Sequence, residues 1–132
     1  MNLFIFRIFV SIIMIFFHGL PKLQKVDMLI HRFPNPIGLG SELSLYLVIF
    51  AELFCAILII TGPLFRLACI PLMITFFVAC FIFHADDPIS KIELPFLYLL
   101  IYTFLFVHGP GRYAFQLTFK SVKNKYFPWL LG

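Results

Sequence analysis

The chain has 132 residues, 62% of them hydrophobic and 12% charged, with a formal net charge of +4, and its mean hydropathy is +1.03. Soluble domains carry about a quarter of their residues as charges, so an ordinary soluble domain is excluded. Lys and Arg sit at the ends of apolar runs and in the C-terminal tail, where topology and anionic headgroups explain them. No basic stripe with interleaved aromatics marks a nucleic-acid surface.

Four apolar runs follow in chain order, each close to the roughly 20 residues that cross a hydrocarbon core. The first is predicted over Leu3 to Leu20 and ends at Pro21, which cannot continue a helix interior. Arg7 interrupts it, and Phe16-Phe17-His18-Gly19 offers no small-residue cleavage site, so it reads as a span and not a cleaved leader. Lys22 to Arg32 places Leu23, Val26 and Ile30 on one side, a pattern for a short amphipathic helix in the interface, broken by Pro34-Asn35-Pro36. The second span is predicted over 42–62, with Ser41 as N-cap and Thr61-Gly62-Pro63 as the stop. The third covers 66–85 with Pro71 inside it, which predicts a kink. The fourth covers 93–109 and stops at Gly109-Pro110-Gly111. There Arg112 is placed to meet helix-end carbonyls and lipid phosphate as a terminator and anchor. The tail over 113–132, with Lys120, Lys123, Lys125 and Trp129, reads as a second interfacial segment.

Nothing is left over for a soluble domain. The expectation is one domain over 1–132: an all-α integral membrane four-helix bundle, up-down-up-down, with a short interfacial helix after the first span. Lys and Arg are slightly denser on the side that would hold both termini, which places the termini in the cytoplasm and the protein in a bacterial inner membrane.

Polar residues fall on helix faces. Arg7, Ser11 and His18 share one face of the first span; Glu52 shares a face with Cys55 and Ala56; Cys69, Met73, Cys80 and His84 align in the third. An intramembrane Arg and Glu imply partners, a water-filled cavity or a function. Counting about 1.5 Å per residue from helix ends at Leu20 and Glu42 puts Arg7 and Glu52 roughly 20 and 15 Å deep. An Arg7–Glu52 pair near mid-membrane is therefore predicted, either as a clasp between the first two helices or as the polar anchor of a ligand. A second polar cluster, His18, Lys22, His84, Asp86, Asp87 and Glu93, is predicted at the outer end, as capping and loop solvation or as a head-group site. Asp87-Pro88 reads there as a helix start and Ser90-x-x-Glu93 as a capping box. No H-x-x-x-H, H-E-x-x-H or paired Cys is present, so no metal site is assigned. Cys55, Cys69 and Cys80 read as small packing groups.

Taken in order, several pieces resemble the DoxX family of small four-span membrane proteins. They are Arg7; His18-Gly19 with Lys22; Pro36 to Gly38; Glu52; Gly62 with Arg66; His84-Ala85-Asp86; and Gly109-Pro110-Gly111-Arg112-Tyr113. The ending departs from the family pattern, with Ala114 and Gln116 where Ser and Asp are common. The resemblance implies a membrane subunit of a larger complex. It also implies a link, through some relatives, to thiosulfate or thiol oxidation with quinone as acceptor. No cofactor motif is evident, and a quinone is the one cofactor-like ligand the resemblance suggests. Two functions follow. One is a non-catalytic membrane subunit or scaffold, partnered by the bilayer and by protein subunits, and the sequence favours it. The other is a quinone-linked redox subunit with a head-group pocket between the helices. Catalytic residues are not assigned. A cavity open laterally and ending at Glu52 or His84 would favour the second.

Overall fold

A computed structural model describes residues 2–111. Four helices are long and apolar enough to cross a membrane: α1 Leu3–Gln24, α3 Ser41–Thr61, α4 Phe65–Phe83 and α5 Ile89–His108. A single-turn helix, α2 Val26–Leu29, lies between the first two. No strand occurs among the described residues. The segment over 113–132 and Arg112 lie outside them.

The helices form because their sequences are long apolar blocks and every backbone group in hydrocarbon must be satisfied within its own segment. They associate through one packed seam. α1 turns Val10, Ser11 and Met14 inward along with Arg7, and Val10 and Met14 join one buried cluster with Cys55, Ala56 and Ile59 of α3, Phe65, Cys69, Leu72 and Phe76 of α4, and Tyr102 and Leu105 of α5. The opposite faces carry Phe9, Phe17, Ile74, Phe81 and Leu100, all exposed and suited to acyl chains.

Three spans contain a π-helical turn: Ile15–Gly19 in α1, Phe50–Cys55 in α3 and Ala79–Phe83 at the end of α4. The first corrects the expected end of span one. Pro21 was expected to stop the helix at Leu20, yet the chain stays helical to Gln24. The Leu20 N–H bonds the Ile15 carbonyl five residues back, so the turn is already widened where the proline ring arrives. Lys22 therefore belongs to the membrane helix itself, and of the predicted interfacial helix only Val26–Leu29 forms separately.

Two predicted caps are not made. Gly40, with φ +92°, occupies the N-cap of α3, and Ser41 is the first helical residue without a capping bond. α5 starts at Ile89 after Pro88 and not at Glu93, again with no side-chain cap, because the Asp87 carboxylate is engaged by His84 and Lys91. α4 continues through Pro71, whose carbonyl accepts from Thr75 Oγ1 at 2.8 Å. At the end of α5, Gly109 takes φ +76° and its N–H bonds the Leu105 carbonyl. Arg66 also meets this helix end: its Nη2 donates to the Val107 carbonyl at 3.5 Å.

Gly19 sets the spacing of α1 and α3. A Cβ there would stand 2.9 Å from Leu53 Cγ and 3.0 Å from the Glu52 carbonyl group, too close for any side chain without backbone movement. Gly19→Ala is expected to force the two helices apart at a cost of about 1–3 kcal/mol, the usual range for overpacking. Thermal unfolding in detergent would show it as a lowered midpoint, and an unchanged midpoint would mean the contact is not tight.

Candidate functional site

The Gly19 contact brings the π turn of α1 beside that of α3, and with it Lys22 beside Glu52. Lys22 Nζ lies 2.5 Å from Glu52 Oε2 and 3.4 Å from the His18 carbonyl. The Glu52 side chain is only 4% exposed and that of Lys22 24%, so the carboxylate is buried and the ammonium reaches down to it on an apolar stem.

The Arg7–Glu52 pair expected from helix depths is not what the fold builds. Gly19 is level with Glu52, and Arg7 lies more than three turns away, about 18 Å along the helix. The depth estimate failed because it ended α1 at Pro21 and started both helices from one plane. Arg7 is instead enclosed at the far end of the bundle, its guanidinium 5.2 Å from the Phe4 ring and 5.6 Å from the Phe65 ring.

The Lys22–Glu52 pair forms part of the wall of a cavity of about 590 Å³. α3 contributes Ser44, Val48 and Glu52, spaced four apart on one helix face. α4 and α5 contribute mostly apolar and aromatic groups, including Phe76 and Tyr98, and the loop after α2 adds Phe33 and Ile37. Leu47, Ile74 and Leu94 line the cavity while staying 47%, 57% and 49% exposed. The cavity is partly open, and most of its lining is apolar. All three π turns border it, through His18, Glu52, and Ala79 with Phe83. π turns concentrate at functional sites because the widened turn re-aims side chains.

The predicted outer cluster is gathered in part. His18, Lys22 and His84 line the cavity; Asp86 and Glu93 are exposed and do not. Asp87, not Asp86, is the carboxylate at the rim. It meets His84 Nδ1 at 2.6 Å and Lys91 Nζ at 3.4 Å. The hydrogen bond from His84, helped by Lys91, holds the Asp87 carboxyl below the usual carboxylate range. Tyr98 was not foreseen: its ring meets His18 edge-on at 5.2 Å and stacks on Phe76 at 5.1 Å. A tyrosine inside a long apolar run looks like any packing aromatic, and no spacing signal marked it. Asp87 belongs to the outer cluster expected from the sequence, where it also reads as a helix start, and its bond to His84 shows which of the two it does. Gly109, Pro110 and Gly111 lie at the opposite end, where Gly109 abuts the Arg66 guanidinium, and they form no part of the cavity. Among the described residues no group of three or more His, Cys, Asp or Glu side chains is placed to hold a metal ion.

A family model for DoxX matches residues 2–85, about two thirds of the chain. The chain belongs to the DoxX family. No curated protein and no solved structure matches it. The DoxX match takes in α1, α3 and α4, hence His18, Lys22, Glu52 and His84; Tyr98 and the Gly109-Pro110-Gly111 corner fall outside it. As a DoxX protein with four membrane-spanning helices, the chain is an integral membrane protein in contact with the bilayer.

Removing either member of the Lys22–Glu52 pair strands the other. Lys22→Met and Glu52→Gln are each expected to destabilise the bundle. The cost should fall at or below the lower end of the roughly 3–5 kcal/mol seen for fully buried pairs, since Lys22 keeps some exposure. The double variant should lose less than the two singles together. Unfolding in detergent would measure the cycle, and additive losses would show that the two charges are not coupled.

Proposed function

We propose that this DoxX protein is a membrane subunit whose cavity holds the head group of a quinone-type lipid. The observation that carries the reading is the pairing of a largely apolar, partly open cavity of about 590 Å³ with one charged pair in its wall. Ligand sites of this kind run about 300–1,000 Å³, with mostly apolar walls and a few convergent polar groups. A quinone needs a slot for its hydrocarbon tail, a donor for its carbonyl and an acceptor for the hydroxyl of its reduced form. Leu47, Ile74 and Leu94 supply the first, the Lys22 ammonium the second and the Glu52 carboxylate the third. Tyr98 and Phe76 offer aromatic faces for the ring. The family link to quinone-coupled sulfur oxidation points the same way.

A second reading, a non-catalytic scaffold within a larger complex, draws on the same pair. Lys22–Glu52 ties α1 to α3 whether or not a ligand is bound. Binding separates the two. A short-tailed benzoquinone titrated into the detergent-solubilised protein by calorimetry should bind, and Lys22→Met should weaken it about tenfold, the loss of roughly 1.4 kcal/mol expected for one charge-assisted hydrogen bond. No heat of binding up to millimolar quinone, with the protein folded, would leave the scaffold reading standing.

The orientation proposed with this function has both termini in the cytoplasm of a bacterial inner membrane, which turns the cavity end outward. Reporter fusions active only in the cytoplasm should report from either terminus; silence from both would invert the arrangement.

A further inference from the structure

Three threonines of the spans satisfy their hydroxyls on the carbonyl one turn back. Thr61 bonds Ile57 at 2.9 Å, Thr75 bonds Pro71 at 2.8 Å and Thr103 bonds Leu99 at 2.7 Å. Ser11 has the same option at the Arg7 carbonyl and does not use it. Its Oγ is fully buried without a hydrogen-bond partner, and so is Tyr102 Oη. Buried hydroxyls left over by the protein are the groups that internal waters satisfy.

The two hydroxyls belong to the same stretch of the bundle. Phe6 meets Phe104 and His18 meets Tyr98 across α1 and α5, so residue numbers fall along α5 as they rise along α1. Ser11 and Tyr102 each lie between those two contacts. Polar groups continue in both directions from there. Toward the cavity, Tyr98 is one turn from Tyr102, its ring touches His18, and Gly19 next to His18 abuts Glu52. Toward the other end, Arg7 is one turn from Ser11. One turn is roughly 6 Å along the axis, the distance a single bridging water covers between two hydroxyls.

We propose that this polar seam is a water-bridged proton path between the cavity floor at Glu52 and the Arg7 end of the bundle, with Ser11 and Tyr102 as its mid-membrane station. Each transfer is an exchange. A bridging water gives a proton to Tyr102 Oη as the phenol releases its own toward the next oxygen, so one O–H bond forms for each that breaks. No charge stays on the phenol and no electron moves. The Glu52 carboxylate is the terminal acceptor at the cavity, held there by Lys22. The positive charge of Arg7 opposes free hydronium, so the path carries a slow, driven exchange and is not an open pore. This path is independent of which ligand fills the cavity.

The test uses the full chain in potassium-loaded vesicles with an entrapped pH dye, valinomycin setting the driving potential. Wild-type vesicles should take up protons faster than protein-free ones. Tyr102→Phe, which keeps the ring and its stack on Phe76, and Ser11→Ala should each slow that uptake severalfold. Thr103→Val, whose hydroxyl is already satisfied by Leu99, should leave the uptake at the wild-type rate. Circular dichroism checks that each variant is folded, and Ser11→Ala carries the test alone if Tyr102→Phe is not. Wild-type uptake no faster than protein-free vesicles, or folded variants that conduct like wild type, overturns the proposal. Quinone titration of the same Tyr102→Phe protein should give unchanged affinity, which keeps failure of the path distinct from failure of the cavity reading.

Discussion

A carboxylate cannot sit alone in hydrocarbon, and much of this bundle follows from how Glu52 avoids doing so. Its side chain is almost fully enclosed, and the nearest cation arrives from another helix. Three features are needed together for that meeting. α1 must run past Pro21 so that Lys22 is held on a helix and not on a loop. Gly19 must lack a side chain so that α1 can lie against the Glu52 backbone. The Lys22 stem must be long enough to bring its ammonium back by one turn. The net gain from such a pair against an apolar substitute is small, because both ions are desolvated. Stability alone therefore gives little reason for the pair, which agrees with the ligand role proposed for it.

The π turns fit the same account. A widened turn gives up hydrogen-bond geometry, which makes it a poor choice for a helix whose only task is to span. Here three of the four spans adopt one at the level of the cavity, and α5, the span without one, begins beside it. In α1 the widening accommodates Pro21; in α3 it carries Glu52; at the end of α4 it precedes His84, whose N–H bonds the Ala79 carbonyl five residues back. The opposite end of the bundle is built differently. There Arg7 rests between aromatic rings and Arg66 meets the last carbonyls of α5, arrangements that satisfy cations without opening the packing.

Membrane spans were legible because hydrocarbon thickness and backbone satisfaction leave few solutions for four apolar blocks. The polar faces were legible too, since Arg7 and Ser11 stand one turn apart and both turn inward. What could not be read was the vertical register between helices. It depends on where each helix actually ends, and Pro21 gave the wrong end because a π turn in the preceding residues was invisible to a rule for ideal helices. The register error runs to several turns, and it exchanges Arg7 for Lys22 as the neighbour of Glu52. The caps failed for a related reason. Ser41, Asp87 and Ser90 have the right residue types, but glycine and proline at the neighbouring positions set the backbone first.

The two sides of the cavity differ in origin. His18, Lys22, Glu52 and His84 come from the segment that matches the family; Tyr98 and Leu94 come from α5, beyond it. In the proposed quinone site the charged pair would meet the carbonyl or hydroxyl and the aromatic wall the ring. On that reading the polar anchor and the outline of the slot belong to different segments. The same helix carries Tyr102, stacked on Tyr98 one turn deeper, so the aromatic wall of the cavity and the buried hydroxyl behind it are set by one face of α5.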